Sequence, residues 1–201
     1  MNPHTSSLRF RIRAAGCLAV ALISVAPSAC QDTAARKEAQ KRIMPTYDKS
    51  TGRLTRLDYD ANGNGKHDTW TFMDGARLIR LEADENEDGK VDRWEYYPAT
   101  TGAASLQQPP ERIERATRLD GQISRREFFE GALMVRVEED TDGNGATDKW
   151  ETYTDQGLAV LALDTQGRGK PDRRLVYRPD GSLDRIEVDP SGSGQFQPVT
   201  K

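Results

Sequence analysis

From Leu54 onward, short runs of period-two hydrophobicity alternate with clusters of Asp, Asn and Gly. Leu57 and Tyr59, Ile79 and Leu81, Val135 and Val137, Leu161 and Leu163, and Ile186 and Val188 are apolar positions separated by single polar residues. Side chains of a strand point alternately to its two faces, so this spacing predicts half-buried β-strands. The polar positions have their own order. Arg56, Arg80, Arg112, Arg136 and Arg185 are each followed two residues later by an acid: Asp58, Glu82, Glu114, Glu138 and Glu187. The pattern predicts an Arg/acid outer face, with Val160 and Ala162 as the one exception. Between these runs lie aromatic-rich stretches at 69–73, 93–97, 125–129 and 149–153, which suit a pleated surface. Asp74-Gly75, Glu130-Gly131, Gln156-Gly157 and Asp180-Gly181 then supply tight-turn chemistry.

The clusters between strands are copies of one nine-residue unit. It reads DANGNGKHD at 60–68, DENEDGKVD at 84–92 and DTDGNGATD at 140–148. Weaker copies stand at 116–124 and 164–172, and a truncated one at 189–196. The sixth-position glycines, at 65, 89, 121, 145, 169 and 194, recur every 24 or 25 residues except once. The one interval of 32 contains the Pro/Gly/Ala/Ser stretch 98–110, which reads as an inserted loop. Such a period marks a repeat architecture. Each repeat reads as a β-hairpin, and the expected fold is all-β: an antiparallel meander of about six hairpins. Open twisted sheets beyond ~10 strands tend to curl or split, and an apolar face needs cover, so a curled or barrel-like sheet is expected. Six hairpins would make only three four-stranded blades, below the usual ~4 of a propeller.

Composition narrows the function. With 30% of the 201 residues charged and a net charge of −3, the chain is no strongly basic nucleic-acid binder. Two cysteines cannot staple a disulfide-dense scaffold. Arg9, Arg11 and Arg13 precede an apolar run from Gly16 to Ala26, followed by small residues. That order reads as a secretory signal over 1–29, and its apolar run is too short for a ~20-residue bilayer span. From residue 30 the chain carries 26 bases and 32 acids. The segment 30–51 reads as a flexible tether, helical between Ala34 and Ile43 and stopped by Pro45. The repeat domain occupies 52–198.

Cys30, directly after Pro27-Ser28-Ala29, resembles the lipobox of bacterial lipoproteins. The resemblance implies lipid modification of Cys30, anchoring to a membrane and a place at the cell envelope, periplasmic or surface-facing. Pro27 stands where that family carries leucine, which leaves ordinary signal-peptidase cleavage near Ala29 as the other route.

The second and fourth units extend to DENEDGKVDRWE (84–95) and DTDGNGATDKWE (140–151). Both resemble the twelve-residue calcium loop of the EF-hand family. Ca²⁺ takes 6–8 hard oxygen ligands. The resemblance implies side-chain ligands at Asp84, Asn86 and Asp88, a backbone carbonyl at Lys90, a water held by Asp92, and Glu95 closing the shell. The matching set is Asp140, Asp142, Asn144, Ala146, Asp148 and Glu151. The first unit offers Asp60, Asn62, Asn64 and Asp68 but has Thr71 in the closing place, implying a weaker site. Arg118, Arg168 and Ser193 make the other units structural turns. The twelve residues between Thr71 and Asp84 leave no room for two flanking helices, so the likeness is to the loop and not to the EF-hand domain; thrombospondin type 3 repeats are a distant comparison. Metal-free hairpin loops use the same Asp/Asn/Gly chemistry, and that alternative stays open.

Catalytic signatures are lacking. Residues 30–201 hold one histidine, His67, and none of the common hydrolase or phosphate-loop motifs. The chain is therefore expected to be non-enzymatic: an exported, lipid-anchored calcium-binding repeat protein with a structural or adhesive role. The alternative is a glycan- or protein-binding module with metal-free turns. The aromatic residues, Trp70, Trp94 and Trp150 among them, read as sheet core in the first case and as an exposed stacking face in the second.

Overall fold

The computed structural model of the chain describes Lys37 and residues 40–99 and 108–199. The signal segment, Cys30, residues 31–36, 38 and 39 of the tether and residues 100–107 of the inserted loop lie outside the described residues.

Thirteen strands form one antiparallel sheet in strict sequence order. They are β1 (Ile43–Tyr47), β2 (Leu54–Tyr59), β3 (Thr69–Asp74), β4 (Arg77–Ala83), β5 (Arg93–Tyr96), β6 (Arg112–Arg115) and β7 (Arg125–Glu130). The series continues with β8 (Leu133–Glu139), β9 (Lys149–Thr154), β10 (Gly157–Leu163), β11 (Arg173–Tyr177), β12 (Leu183–Val188) and β13 (Gln197–Pro198). The hairpin meander expected from the repeat is present. Closure is not: β1 and β13 are the two free edges, and each strand packs only against its sequence neighbours. The sheet is a single layer.

Register explains why no second layer is demanded. On one face, Asp58, Trp70, Glu82, Trp94, Glu114, Arg126, Glu138 and Trp150 stand opposite one another from strand to strand. A parallel row runs Arg56, Phe72, Arg80, Tyr96, Arg112, Phe128, Arg136. Aromatics thus alternate with the Arg/acid pairs on the same face instead of lying beneath them. Arg80 stacks 4.4 Å above the Phe72 ring, Arg112 4.2 Å above Tyr96, and Arg136 3.8 Å above Phe128. Within strands, Arg56 pairs with Asp58 at 2.5 Å and Arg80 with Glu82 at 2.9 Å. Planar guanidinium groups laid on aromatic faces bury area sideways, so each side chain is half-covered by its neighbours.

The opposite face is mixed as well. Leu57, Leu81, Ile113, Val137 and Leu161 alternate with Thr71, Glu95, Glu127 and Glu151. Arg125 joins Glu127 at 2.7 Å and Glu139 at 2.9 Å, and Lys149 joins Glu151 at 2.8 Å. Fully buried apolar side chains are few, Val137 foremost among them. Where Val160 and Ala162 break the Arg/acid series, the first face dips into a shallow depression of about 360 Å³ between Trp150 and Arg174.

β1 is a departure from the expected tether. Ile43 to Tyr47 pair with β2 although all five residues are exposed and Pro45 sits among them. Proline lacks an N–H for the ladder and is tolerated on an edge strand. Lys37, Gln40 and Lys41 just before it are helical.

Candidate metal centre

All nine-residue units lie in a row along one end of the sheet. Backbone bonds continue the strand ladder into them: the first-position N–H donates to the ninth-position carbonyl of the preceding unit. Examples are Asp84 to Asp68 at 2.8 Å, Ala116 to Asp92 at 2.7 Å and Asp140 to Ser124 at 2.7 Å. We number these loops 1 to 6, beginning at residues 60, 84, 116, 140, 164 and 189.

Within a loop, two acidic side chains hold the turn. The first-position aspartate accepts amides from the fourth and sixth positions: Gly63 and Gly65 on Asp60 at 2.6 and 2.8 Å, Gly143 and Gly145 on Asp140 at 2.7 and 2.9 Å. The ninth-position side chain accepts the second-position amide, as with Ala61 on Asp68 at 3.1 Å and Thr141 on Asp148 at 3.1 Å. Ser124 takes the acid's place in loop 3, its Oγ accepting from Thr117 at 3.0 Å. Aiming amides at a carboxylate requires left-handed backbone at the fourth and sixth positions. Gly65 (φ 91°) and Gly145 (φ 88°) provide it, but Glu87 (φ 59°) and Leu119 (φ 54°) adopt it without being glycine. The EF-hand comparison does not single out the fourth position; its signal is the G-x-G spacing in loops 1, 4, 5 and 6.

Charge follows from these bonds. Burial opposes ionisation of Asp60 and Asp140, but the glycine amides outweigh it and hold both carboxyls below the usual range. Arg42 contributes at Asp60 and Arg118 at Asp140. Asp164 and Asp189 are lowered against burial in the same way, Asp164 by backbone amides and Asp189 by the Ser191 hydroxyl together with backbone amides.

Loops 2 and 4 hold the carboxylate arrangements that a cation could join, in different forms. In loop 4, ligand oxygens of Asp140, Asp142 and Asp148 all lie within 4.8 Å of one another, the one such group among the described residues. Three carboxylates that close repel one another unless a cation joins them. In loop 2, Gly89 donates to Asp84 Oδ2 at 2.9 Å and Glu85 to Asp92 Oδ2 at 3.1 Å. The other oxygen of each carboxylate is buried and accepts nothing. Asp84 is 7% exposed and Asp92 1%. No ion pair reaches either acid among the described residues.

The remaining predicted ligands divide clearly. Asn86 and Asn62 turn Oδ1 inward to the amides of Asp88 and Asn64, both at 3.0 Å. Lys90 and Ala146 stand at the seventh place, their amides donating to Asp88 at 2.9 Å and to Asn144 at 2.7 Å. Glu95 and Glu151 are not brought into the loops. Both lie on strands, opposite Ile113 and Val137, where Glu95 meets Arg93 and the Tyr97 hydroxyl (2.5 Å), and Glu151 meets Lys149 and the Tyr153 hydroxyl (2.7 Å). After the ninth residue an EF-hand enters a helix that turns the twelfth residue back; a strand carries it ~10 Å away. Burial and Glu151 raise the Tyr153 hydroxyl's pKa, and burial and Glu95 do the same at Tyr97.

Neighbouring loops also touch. Asn64 Nδ2 donates to Glu87 at 2.6 and 2.7 Å, joining loops 1 and 2, and Asn86 Nδ2 donates to the Leu119 carbonyl at 3.1 Å, joining loops 2 and 3. Arg118 leaves its own loop and donates to the Asp140 carbonyl at 3.2 Å. Its place in the sequence suggests an obstacle to a cation in loop 3, whereas its guanidinium serves loop 4.

No protein-family model matches the chain, and no curated relative does. Among solved structures the chain is similar to S. aureus TarM, in a point mutant bound to fondaparinux, alpha-GlcNAc-glycerol and UDP. The identity is 13% and the TM-score 0.25, over 60% of this chain and 21% of that one. A second TarM structure gives 13% identity and a TM-score of 0.23 over the same shares. The chain thus spans about a fifth of the length of the structures it matches.

Proposed function

We propose that this chain is a non-enzymatic, exported repeat protein whose loop row takes up Ca²⁺, and that it serves a structural or adhesive role at the cell envelope. The N-terminal signal pattern and Cys30 support export and lipid anchoring to a membrane. The observation that carries the cation reading is the pair of buried, unpartnered oxygens on Asp84 and Asp92. A buried carboxylate is costly unless it is paired or coordinates a metal. All-oxygen donors with carboxylates and amide carbonyls suit a hard cation, and an extracellular module of this kind holds Ca²⁺ at ~10⁻⁴–10⁻³ M. The asparagine-rich third and fifth positions and the convergence at Asp140, Asp142 and Asp148 add to the reading.

Such an ion acts as glue. It offsets carboxylate repulsion in a sheet with few fully buried apolar side chains and no disulfide to close it. Differential scanning calorimetry of the chain with millimolar Ca²⁺ and with excess chelator tests this. The melting temperature is expected to fall in chelator; an unchanged value would sink the proposal.

The second reading, a glycan- or protein-binding face with metal-free turns, is favoured by one observation: amides already fill the first-position carboxylates of loops 1 and 4. On that reading chelator leaves the melting temperature unchanged, while a bound partner quenches the half-exposed Trp70, Trp94 and Trp150.

A further inference from the structure

Three loops share a feature that the EF-hand resemblance does not contain. In each, an arginine from the chain before the loop lays its guanidinium group over the fourth-position glycine and donates to a carbonyl beside it. At loop 1, Arg42 Nε donates to the Asp60 carbonyl at 2.8 Å, and its Cζ is 3.4 Å from where a Cβ of Gly63 would stand. At loop 4, Arg118 Nη2 donates to the Asp140 carbonyl at 3.2 Å, with Cζ 2.9 Å from the Gly143 Cβ position. At loop 6, Arg168 Nη1 donates to the Pro190 carbonyl at 3.3 Å and lies 3.1 Å from the Gly192 Cβ position. No side chain other than glycine could admit the guanidinium at Gly143 without moving it.

Loop 2 lacks this arrangement. Its fourth position is Glu87, whose carboxylate takes up the neutral amide of Asn64 in place of a guanidinium. Asp84 Oδ1, whose counterpart in loop 4 accepts the Gly143 amide, has no donor, and Asp92 Oδ1 has none either. Loop 4 has the tighter carboxylate cluster, yet every one of those carboxylates already has donors. Asp140 has Gly143 and Gly145, Asp142 has the amide and Nδ2 of Asn144, and Asp148 has Thr141.

We infer that Arg118 is the built-in counter-ion of loop 4, standing in for a metal ion there, so that Ca²⁺ enters loop 2 in the native chain and enters loop 4 only when Arg118 loses its charge. This rests on the proposal that the loop row takes up Ca²⁺. A tethered guanidinium is present at a local concentration no free ion matches, and it compensates the clustered carboxylates without desolvating a divalent ion. Arg42 takes the same place at loop 1, and Arg168 together with Lys170 takes it at loop 6. Uptake in the native chain is then confined to the loop where buried oxygens wait unpaired.

The test uses Tb³⁺ as a luminescent probe for the Ca²⁺ sites, with Ca²⁺ stoichiometry by calorimetry in parallel, on the full chain. Trp94 follows loop 2 by two residues, with Trp70 on the other side of β4, and Trp150 follows loop 4 by two, so the two loops have different sensitisers. The wild-type chain is expected to bind one ion, with emission lowered in Trp94→Phe, lost when Trp70→Phe is added, and kept in Trp150→Phe. Asp92→Asn should weaken that binding at least ~10-fold. Arg118→Gln should add a second ion whose emission depends on Trp150, and Arg118→Lys, which keeps the charge, should not. Arg118 is exposed, and the backbone ladder of Arg118→Gln is checked by circular dichroism; if that variant does not fold, Arg118→Ala takes its place. Wild-type uptake at loop 4, or no gain in the neutral variants, overturns the role of Arg118 while leaving calcium binding intact. No uptake by the wild type or by either neutral variant overturns the calcium reading itself.

Discussion

At one end of the sheet the chain reverses through nine-residue loops in which buried carboxylates collect backbone amides. At the other, apart from the long 97–111 connection between β5 and β6, it reverses within a few residues, through Gly75-Ala76 and Gly131-Ala132 or through the exposed cap of Asp48. Both ends serve the same hairpins, yet they distribute charge oppositely. The turn end sets its charges in water: Arg53 and Asp74 pair at 2.7 Å with 56% and 41% of their side chains exposed. The loop end buries acids, with Asp60, Asp84, Asp92, Asp140, Asp172 and Asp189 all below 9% exposure. A connection that only needed to turn would not carry that desolvation cost. The excess at the loop end is what makes it the candidate site.

Substitution of glycine separates the two ends most sharply. Gly65 has φ 91° and open space where a Cβ would stand, so Gly65→Val meets backbone strain alone. It should cost ~1–3 kcal/mol, read as a lower midpoint in chemical denaturation in the presence of chelator. Gly131→Asn, at φ 59° with equally open space, should cost well under ~1 kcal/mol, because asparagine tolerates the left-handed region. Equal losses at both positions would erase the distinction between a strained carboxylate-directed loop and an ordinary turn.

Acid gives a smaller effect, shared among loops. Asp60, Asp140, Asp164 and Asp189 all ionise below their ordinary value of 3.8. The stability they contribute is complete above that value and is lost as pH falls through the lower folded values. The metal-free chain should therefore melt progressively lower as the pH drops below about 4. Asp48 is lowered to about 2 by the hydroxyl and amide donors of Ser50 and Thr51 and follows the same sign at the turn end. Asp140→Asn with Asp60→Asn should flatten the profile in the same direction as Asp48→Asn does.

Least should follow from Arg53→Ala. It removes an exposed ion pair to Asp74, and exposed pairs are worth ~0.2–1 kcal/mol at most. Thermal melts at low and high salt should barely separate this variant from the parent.

The period-two runs and the Asp/Asn/Gly clusters placed nearly every strand and every loop, because each element is specified locally: alternation for strands, left-handed glycine for turns. β1 escaped because IMPTY carries no copy of the repeat and contains a proline, and it is a strand only by virtue of pairing with β2. The open sheet was also not legible. An Arg/acid face suggested an apolar partner face needing cover, whereas Trp70, Phe72, Trp94 and Tyr96 share the Arg face and the aliphatics share theirs with glutamates. Spacing along a strand says which residues share a face with each other, not which residues from the next strand join them. At the loops, residue types and order pointed to Asp84, Asp92, Asp140, Asp142 and Asp148. Glu95 and Glu151 were misplaced because the twelfth position has meaning only when a helix follows. The reach of Arg118 into the next loop depends on loop-to-loop spacing, which no single unit encodes.

The strict strand order has a mechanical consequence. The first and last strands lie at opposite edges of one layer, so tension between the chain's two ends acts across the strands. Hydrogen bonds are then loaded one ladder at a time from an edge, as in a zipper, instead of all at once as in shear. Each 24-residue unit peeled away would release up to ~80 Å of extended chain. A sheet built this way lengthens in steps under load, and an ion held in one loop, as proposed, would make the unravelling pause at that unit.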